Sequence, residues 1–237
     1  MKPSIPIIIL CGGRGKRLGK LSRKIPKALV KVGNKSLLKL KLNFYRLSGI
    51  KKFFVCIGYK GDLIKKHLSN YSNVVFSNSG ERAGILKRIY DVLKKIKQPS
   101  IISYGDTLAK INLKKLYNFH VKSKAIITIV VSPVKNPFGI VEWDSREKVK
   151  QFVEKPTLNH FIGYAVINPG IFKFINKKII NMSDGMGLVK AIQSLTKKRK
   201  VNVFKFDGLQ FTVNSVKDLR EANIRFNKYF TLNETFK

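Results

Sequence analysis

The sequence predicts an α/β fold: a mostly parallel, mixed central sheet with helices on both faces, joined by a small β-rich portion. Three observations lead there. Apolar stretches of strand length alternate with amphipathic stretches of helix length through the first half, the pattern of a parallel sheet covered on both sides. A glycine-rich turn follows the first apolar stretch directly, at the strand end where such sheets bind ligands. In the second half the strand-like stretches crowd together, which points to a β-rich extension.

Each element follows from local pattern. Strands are expected near 5–10, 52–57, 73–77 and 100–104, with helices near 36–48, 61–68 and 83–96 between them. Further strands are expected near 125–132, 138–143, 147–153 and 161–167. Val201 to Phe206 and Leu209 to Val213 flank Asp207-Gly208 and read as a hairpin. Ser215-x-x-Asp218 opens a last helix to about Lys228, the serine capping and the aspartate favouring the positive end of the helix dipole.

Length and composition set the frame. A chain of 237 residues, 44% of them hydrophobic, can bury a full core, so 1–237 is expected to form one globular unit. It divides by role, not by a linker, into about 1–110 and about 111–237. No apolar run approaches the length needed to span a bilayer, and the apolar stretch near the N-terminus is too short for a secretory leader, so a cytoplasmic protein is expected. Cys11 and Cys56 fall in predicted strands and read as a reduced, packed pair. His67, His120 and His160 are scattered and read as surface or loop residues.

Forty-eight lysines and arginines stand against 13 acids, a formal net charge of +35 that would attract polyanions. The lysines spread along the whole chain, on polar faces of the predicted helices. That spread reads as a compositional habit on solvated faces, with no specific nucleic-acid partner.

Chemistry concentrates in a few segments. After the first strand come Leu10-Cys11-Gly12-Gly13-Arg14-Gly15-Lys16-Arg17-Leu18, and then Pro26-Lys27. Glycines let the backbone turn and present N–H groups, while Lys16, Arg17 and Lys27 supply charge for a polyphosphate. The glycine spacing fits neither a dinucleotide fingerprint nor a Walker loop. Asp106, in Tyr104-Gly105-Asp106 at the end of the fourth strand, is expected to hold magnesium, which takes one or two carboxylates plus substrate phosphates. Glu154-Lys155-Pro156 offers an acceptor for hydroxyls beside a cation for a phosphate.

Gly-Gly-x-Gly-x-Arg-Leu followed by Pro-Lys resembles the signature of nucleotidyltransferases that activate sugar 1-phosphates. The resemblance runs from residue 5 to about 228 and implies a Rossmann-like sheet, a nucleoside triphosphate and a small phosphorylated acceptor as partners, and magnesium as cofactor. It assigns catalysis to Arg17, Lys27, Asp106 and Lys155, and nucleotide binding to Leu10, Gly12, Gly13, Arg14, Gly15, Lys16, Gly80, Glu81 and Gly105. Acceptor binding falls to Glu154, Lys155, Gly139 and Gly163. Ser79 to Ile89 is similar to the base-recognising segment of glucose-1-phosphate cytidylyltransferases, which favours CTP.

Two departures stand out against that family. Its second magnesium aspartate is absent from Phe211-Thr212-Val213-Asn214-Ser215, where Thr212 or Asn214 offers only a neutral oxygen and Asp218 reads as a helix cap. Phe161-Ile162-Gly163-Tyr164 replaces an Asn-Gly-Gly that precedes an aromatic residue in sugar-handling relatives. Two alternatives therefore stay open: a cytidylyltransferase for a non-sugar phosphate, and a catalytically silent nucleotide- or nucleic-acid-binding protein of the same fold.

Overall fold

A computed structural model describes residues 5–229. The chain opens with β1 (Ile7–Leu10), a short helix α1 (Lys20–Lys24) and the small ribbon β2 (Lys31–Val32) and β3 (Lys35–Ser36). Then follow α2 (Leu37–Leu47), β4 (Phe53–Ile57), α3 (Gly61–His67), β5 (Val74–Asn78), α4 (Ile85–Ile96), β6 (Ser100–Tyr104) and β7 (Thr107–Ala109). The second half contains α5 (Leu113–Ser123), β8 (Ile127–Lys135), β9 (Ile140–Trp143), β10 (Val149–Val153) and β11 (Thr157–Ile167). It closes with α6 (Lys177–Ile180), α7 (Met186–Lys197), β12 (Val201–Lys205), β13 (Gln210–Thr212) and α8 (Val216–Tyr229).

Seven strands form the central sheet in the order β12-β8-β11-β6-β1-β4-β5. Only β11 runs against the rest, pairing antiparallel with β6 and β8, so the expected mixed, mostly parallel sheet is present. Strand periodicity explains its two cores. Ile7 and Ile9 face one side, where they meet Leu38, Leu42 and Tyr45 of α2 and Leu113 and Leu116 of α5. Ile8 faces the other side with Leu86, Ile89 and Leu93 of α4 and Leu188 and Leu195 of α7. Each such fully buried side chain contributes roughly 1.5–3 kcal/mol.

Helix starts are capped where the sequence supplies the side chain. Ser36 Oγ accepts from Lys39 N at the head of α2, and Asn112 Oδ1 accepts from Lys115 N at the head of α5. Among the described residues no helix is long and apolar enough to cross a membrane.

Three expectations need correction. β12 and β13 do not form a hairpin: β12 lies parallel on β8 at the sheet edge, while β13 pairs with β7, Phe211 opposite Leu108. Burial decides this, because Phe211 and Val213 complete an apolar cluster with Leu18, Val30 and Leu108 that a hairpin at the edge would forgo. His120 is a core residue, 1% exposed, with Nδ1 2.8 Å from Thr128 Oγ1. Its place on α5, four residues after Leu116, points it inward. His67 is half-buried at the end of α3 and shares a 2.7 Å hydrogen bond with Ser36; only His160 is exposed. The helices α5 and α7 add to those the sequence pattern showed.

Candidate active site

β1 lies inside the sheet between β6 and β4, and its carboxyl end delivers Leu10, Cys11 and the glycine loop to the edge of the sheet. Cys11 N donates to Cys56 O at 2.8 Å, which carries the strand one residue beyond its ladder before the chain turns. Next to it, β6 delivers Tyr104, Gly105 and Asp106. The two ends touch: Gly105 N donates to Leu10 O at 3.0 Å, and a Cβ at Gly105 would lie 2.5 Å from that same oxygen. Glycine is required there for the strands to close on each other.

A cavity of about 890 Å³ opens above this junction. Leu10, Gly12, Gly13, Arg14, Gly15, Lys16, Arg17 and Lys27 line one side, Glu81 and Arg82 a second, and Gly105, Asp106 and Asn214 a third. Lys27 Nζ lies 2.5 Å from Asp106 Oδ2 and 2.9 Å from Asn214 Oδ1. Asn214 Oδ1 also accepts from Arg17 Nη2 at 3.0 Å. Two cations therefore meet on a single amide oxygen, and one of them, Lys27, also holds the Asp106 carboxylate. Across the mouth, Arg14 Nη2 pairs with Glu81 Oε2 at 3.0 Å and lies over the Tyr59 ring.

Asp218 acts as the expected cap. Its Oδ2 accepts from Asn214 N at 2.8 Å and Ser215 N at 2.9 Å, while Ser215 Oγ accepts from Asp218 N. Desolvation raises its carboxyl, but the two backbone N–H donors, the serine hydroxyl and the Lys27 charge outweigh that and hold it below the usual carboxylate range. The cap thus fixes the backbone that presents Asn214 to Arg17 and Lys27.

Arg88 belongs to the site, and the sequence reading assigned it no role. It is 4% exposed and lies beneath the glycine loop, where a Cβ on Gly12 would lie 2.4 Å from its guanidinium carbon. Nη1 donates to Ile57 O at 2.5 Å, Nη2 to Gly80 O at 2.9 Å and to Glu81 O at 3.3 Å, and Nε to Ala83 O at 3.1 Å. One side chain thereby ties the end of β4 to the 80–83 segment under the phosphate-type loop. Desolvation lowers its pKa, offset in part by Cys56 and Cys11. The available signal was a charge on the apolar face of α4, beside Ile85, Ile89 and Val92.

Cys11 and Cys56 are both buried free thiols. Burial pushes Cys11 up to about 12 and Cys56 well above its ordinary value, so both remain neutral thiols at the floor of the site.

The acceptor-side residues are distributed differently. Gly163 packs its backbone against the Tyr104 ring, and Tyr104 lines the cavity with Phe161 edge-on at 5.9 Å. Burial and the Asp106 charge raise the Tyr104 phenol to about 12. Glu154 and Lys155 lie apart from the cavity lining, paired with each other at 3.1 Å and largely exposed. Gly139 faces Phe152 and Glu154 on the β9–β10 ribbon. Among the described residues no three His, Cys, Asp or Glu side chains cluster as a metal site.

Strand ends, a glycine loop and neighbouring cations define an α/β protein with a cationic cavity at the carboxyl edge of its sheet. The chain belongs to the nucleotidyl transferase family, whose pattern spans residues 6–208. The glucose-1-phosphate cytidylyltransferase of Salmonella typhi is 27% identical over 244 residues, covering 89% of this chain and 91% of its own length. The mannose-1-phosphate guanyltransferase of Yarrowia lipolytica (strain CLIB 122 / E 150) is 31% identical over 188 residues, covering 75% of this chain and 51% of its own. In fold, the chain superposes on HddC from Yersinia pseudotuberculosis, solved in complex with GMP-PN, with a TM-score of 0.71 and 21% identity over 94% of this chain and 99% of that one.

Proposed function

We propose that this protein transfers the nucleoside monophosphate of a triphosphate, CTP first, to a sugar 1-phosphate and releases pyrophosphate. The observation that carries this reading is the chain of contacts inside the cavity that the glycine loop borders: Arg17 and Lys27 both meet Asn214, and Lys27 also meets Asp106. An acceptor phosphate oxygen attacks the α-phosphorus, a new P–O bond forms, and the α–β bond breaks with its electrons leaving on pyrophosphate. Two anions must approach in line, so the rate depends on positioned positive charge.

The chain's own groups divide that work. The backbone N–H groups of Gly12 to Gly15, with Lys16 and Arg17, face the β- and γ-phosphates. Lys27 neutralises the α-phosphate as negative charge builds there. Lys155 and Glu154, in the turn between β10 and β11, are the groups that meet the acceptor, Lys155 its phosphate and Glu154 its hydroxyls. Asp106 contributes a carboxylate and Asn214 an amide oxygen, the hard donors magnesium takes alongside substrate phosphates, so the residues fit that ion. Bound there, magnesium would withdraw charge from the phosphate oxygens.

The 79–89 segment and the cytidylyltransferase relatives support CTP, and the guanyltransferase relatives make GTP the first competitor. A second reading keeps this chemistry and changes the acceptor, supported by the Phe161 ring where sugar-handling relatives carry asparagine. A cytoplasmic location is part of this reading, because the reaction consumes a nucleoside triphosphate. Pyrophosphate release over five nucleotides and a panel of sugar 1-phosphates and phosphorylated alcohols, with magnesium, tests both. Fastest release with CTP and a sugar 1-phosphate is expected; silence across the whole matrix overturns the reading.

A further inference from the structure

Lys41 is wholly buried, and no carboxylate of the described residues lies within ion-pair distance of it. It sits on the apolar face of α2, four residues after Leu37 and four before Tyr45, where helical period calls for an aliphatic side chain. Its ammonium donates to the Thr107 carbonyl and, at 3.1 Å, to the Tyr164 hydroxyl. The rings of Tyr164 and Tyr45 lie 5.0 and 5.4 Å from it. Tyr45 is a neutral partner, since burial and then the neighbouring Tyr164 push its phenol well above the ordinary value.

A buried charge with only neutral partners costs stability, and an apolar residue of similar length does better there. Nothing polar depends on the charge. Without it, Thr107 O still accepts from Tyr164 at 3.2 Å, Tyr45 still bonds Tyr164 at 2.9 Å, and Ser103 still bonds Tyr45 at 2.7 Å. Stability therefore gives no reason for a lysine at this place.

Position gives one. Thr107 follows Asp106 directly, and its hydroxyl lies 3.3 Å from Asp106 Oδ1 and 2.9 Å from Thr212 Oγ1. Asp106 O is held by Val213 N at 2.9 Å, so the Thr107 carbonyl is the other backbone handle on the carboxylate's turn. Tyr164 follows Gly163 on β11, behind the Tyr104 and Phe161 rings. Lys41 thus joins three elements: α2, the turn that carries Asp106, and the strand behind the acceptor side.

We propose that Lys41 is a positioning residue, a buried cation that clamps the Thr107 carbonyl and the Tyr164 hydroxyl so that Asp106 and the acceptor-side strand keep one fixed geometry at the expense of stability. This role rests on the transfer reading above. It differs from an ordinary core contact in sign, because removing the charge relieves a desolvation penalty while loosening the turn by the sub-ångström amounts to which in-line reactions are sensitive.

The test compares the full-length wild-type protein with Lys41→Met in pyrophosphate release from CTP and glucose 1-phosphate with magnesium, together with thermal melting. Lys41→Met is expected to melt at the same temperature or about 2–4 °C higher. Its kcat should fall at least about tenfold while KM for both substrates stays within about twofold. A kcat within twofold of wild type overturns the proposal. So does a loss of activity that parallels a falling melting temperature, or one carried by KM. Should Lys41→Met not fold, Tyr164→Phe decides: a kcat several-fold lower with unchanged melting supports the clamp, and an unchanged kcat overturns it. Wild-type silence with every nucleotide and acceptor overturns the transfer reading and the clamp together, whereas wild-type turnover with an unaffected Lys41→Met removes the clamp alone.

Discussion

Lys27 reaches the Asp106 carboxylate, Nζ to Oδ2, at 2.5 Å, with both side chains largely shielded from solvent. The lysine therefore neutralises the one carboxylate of the cluster. Asn214 accepts from Lys27 and Arg17 together, so the three act as a unit. Arg17→Ala and Asp106→Ala should each lower turnover at least about a hundredfold, since the first removes positive charge that the transferring phosphoryl group needs and the second the carboxylate that would hold magnesium beside it. Circular dichroism and melting should stay near wild type, because neither side chain supports the core. Near-full turnover in either variant removes that residue from the mechanism.

Arg88 predicts the opposite balance from Lys41, although both are buried cations without an ion pair among the described residues. Replacing Arg88 by methionine leaves the carbonyls of Ile57, Gly80, Glu81 and Ala83 without their guanidinium donor. The Ile57 carbonyl is buried and the other three lie against the buried guanidinium, so leaving them without a donor is costly: Arg88→Met should lose roughly 1–3 kcal/mol of stability and melt at least about 2 °C lower. Nucleotide-induced stabilisation should shrink with it, as the 80–83 segment loses its tether to the end of β4 beneath the glycine loop. Denaturant unfolding with and without CTP measures both; an unchanged midpoint would refute the knot.

Asp218 supports the site at one remove. Its carboxylate fixes the N–H groups of Asn214 and Ser215, so Asp218→Ala frees the start of α8 and the backbone that aims Asn214. A lost cap of this kind costs about 1 kcal/mol. The expected kinetic signature is a several-fold drop in kcat that Asp218→Asn partly restores, its side-chain oxygen still accepting from the backbone. Equal losses in the two variants would count against the capping account.

The first half of the chain was legible because its signals are local. Ile7 to Leu10 and Ser100 to Tyr104 are short apolar runs, and their carboxyl ends put Gly12 and Asp106 around one opening as strand order requires. What failed was decided by distant partners. Asp207-Gly208 is a sound turn signal, yet Phe211 goes to Leu108, about a hundred positions away, because burial there outweighs local pairing. The bond between Arg17 and Asn214 spans 197 positions and leaves no trace in either segment. The helix α5 was blurred because its inner face includes His120 beside Leu113 and Leu116. Lys41 and Arg88 did leave a mark, a charge where helical period wanted an apolar residue.

His120 gives the fold a dependence on pH that is separate from the chemistry. Desolvation lowers its ring from an ordinary value of 6.5 to about 4 in the folded protein. Above pH 6.5 neither state carries the proton, and stability from this group is complete. As pH falls from 6.5 toward 4 the unfolded chain takes up a proton that the folded chain refuses, so stability drains across that window and levels off below it. Replacing both members of the buried pair, His120→Leu with Thr128→Val, removes the titration without orphaning the hydroxyl that lies 2.8 Å from the ring. Melting curves between pH 4 and 7 should therefore fall less steeply for the double variant than for the wild type, while turnover at neutral pH stays within about twofold, since neither residue lines the cavity. Parallel pH profiles for the two proteins would mean that the ring protonates in the core, and that its burial does not set the acid limit of this fold.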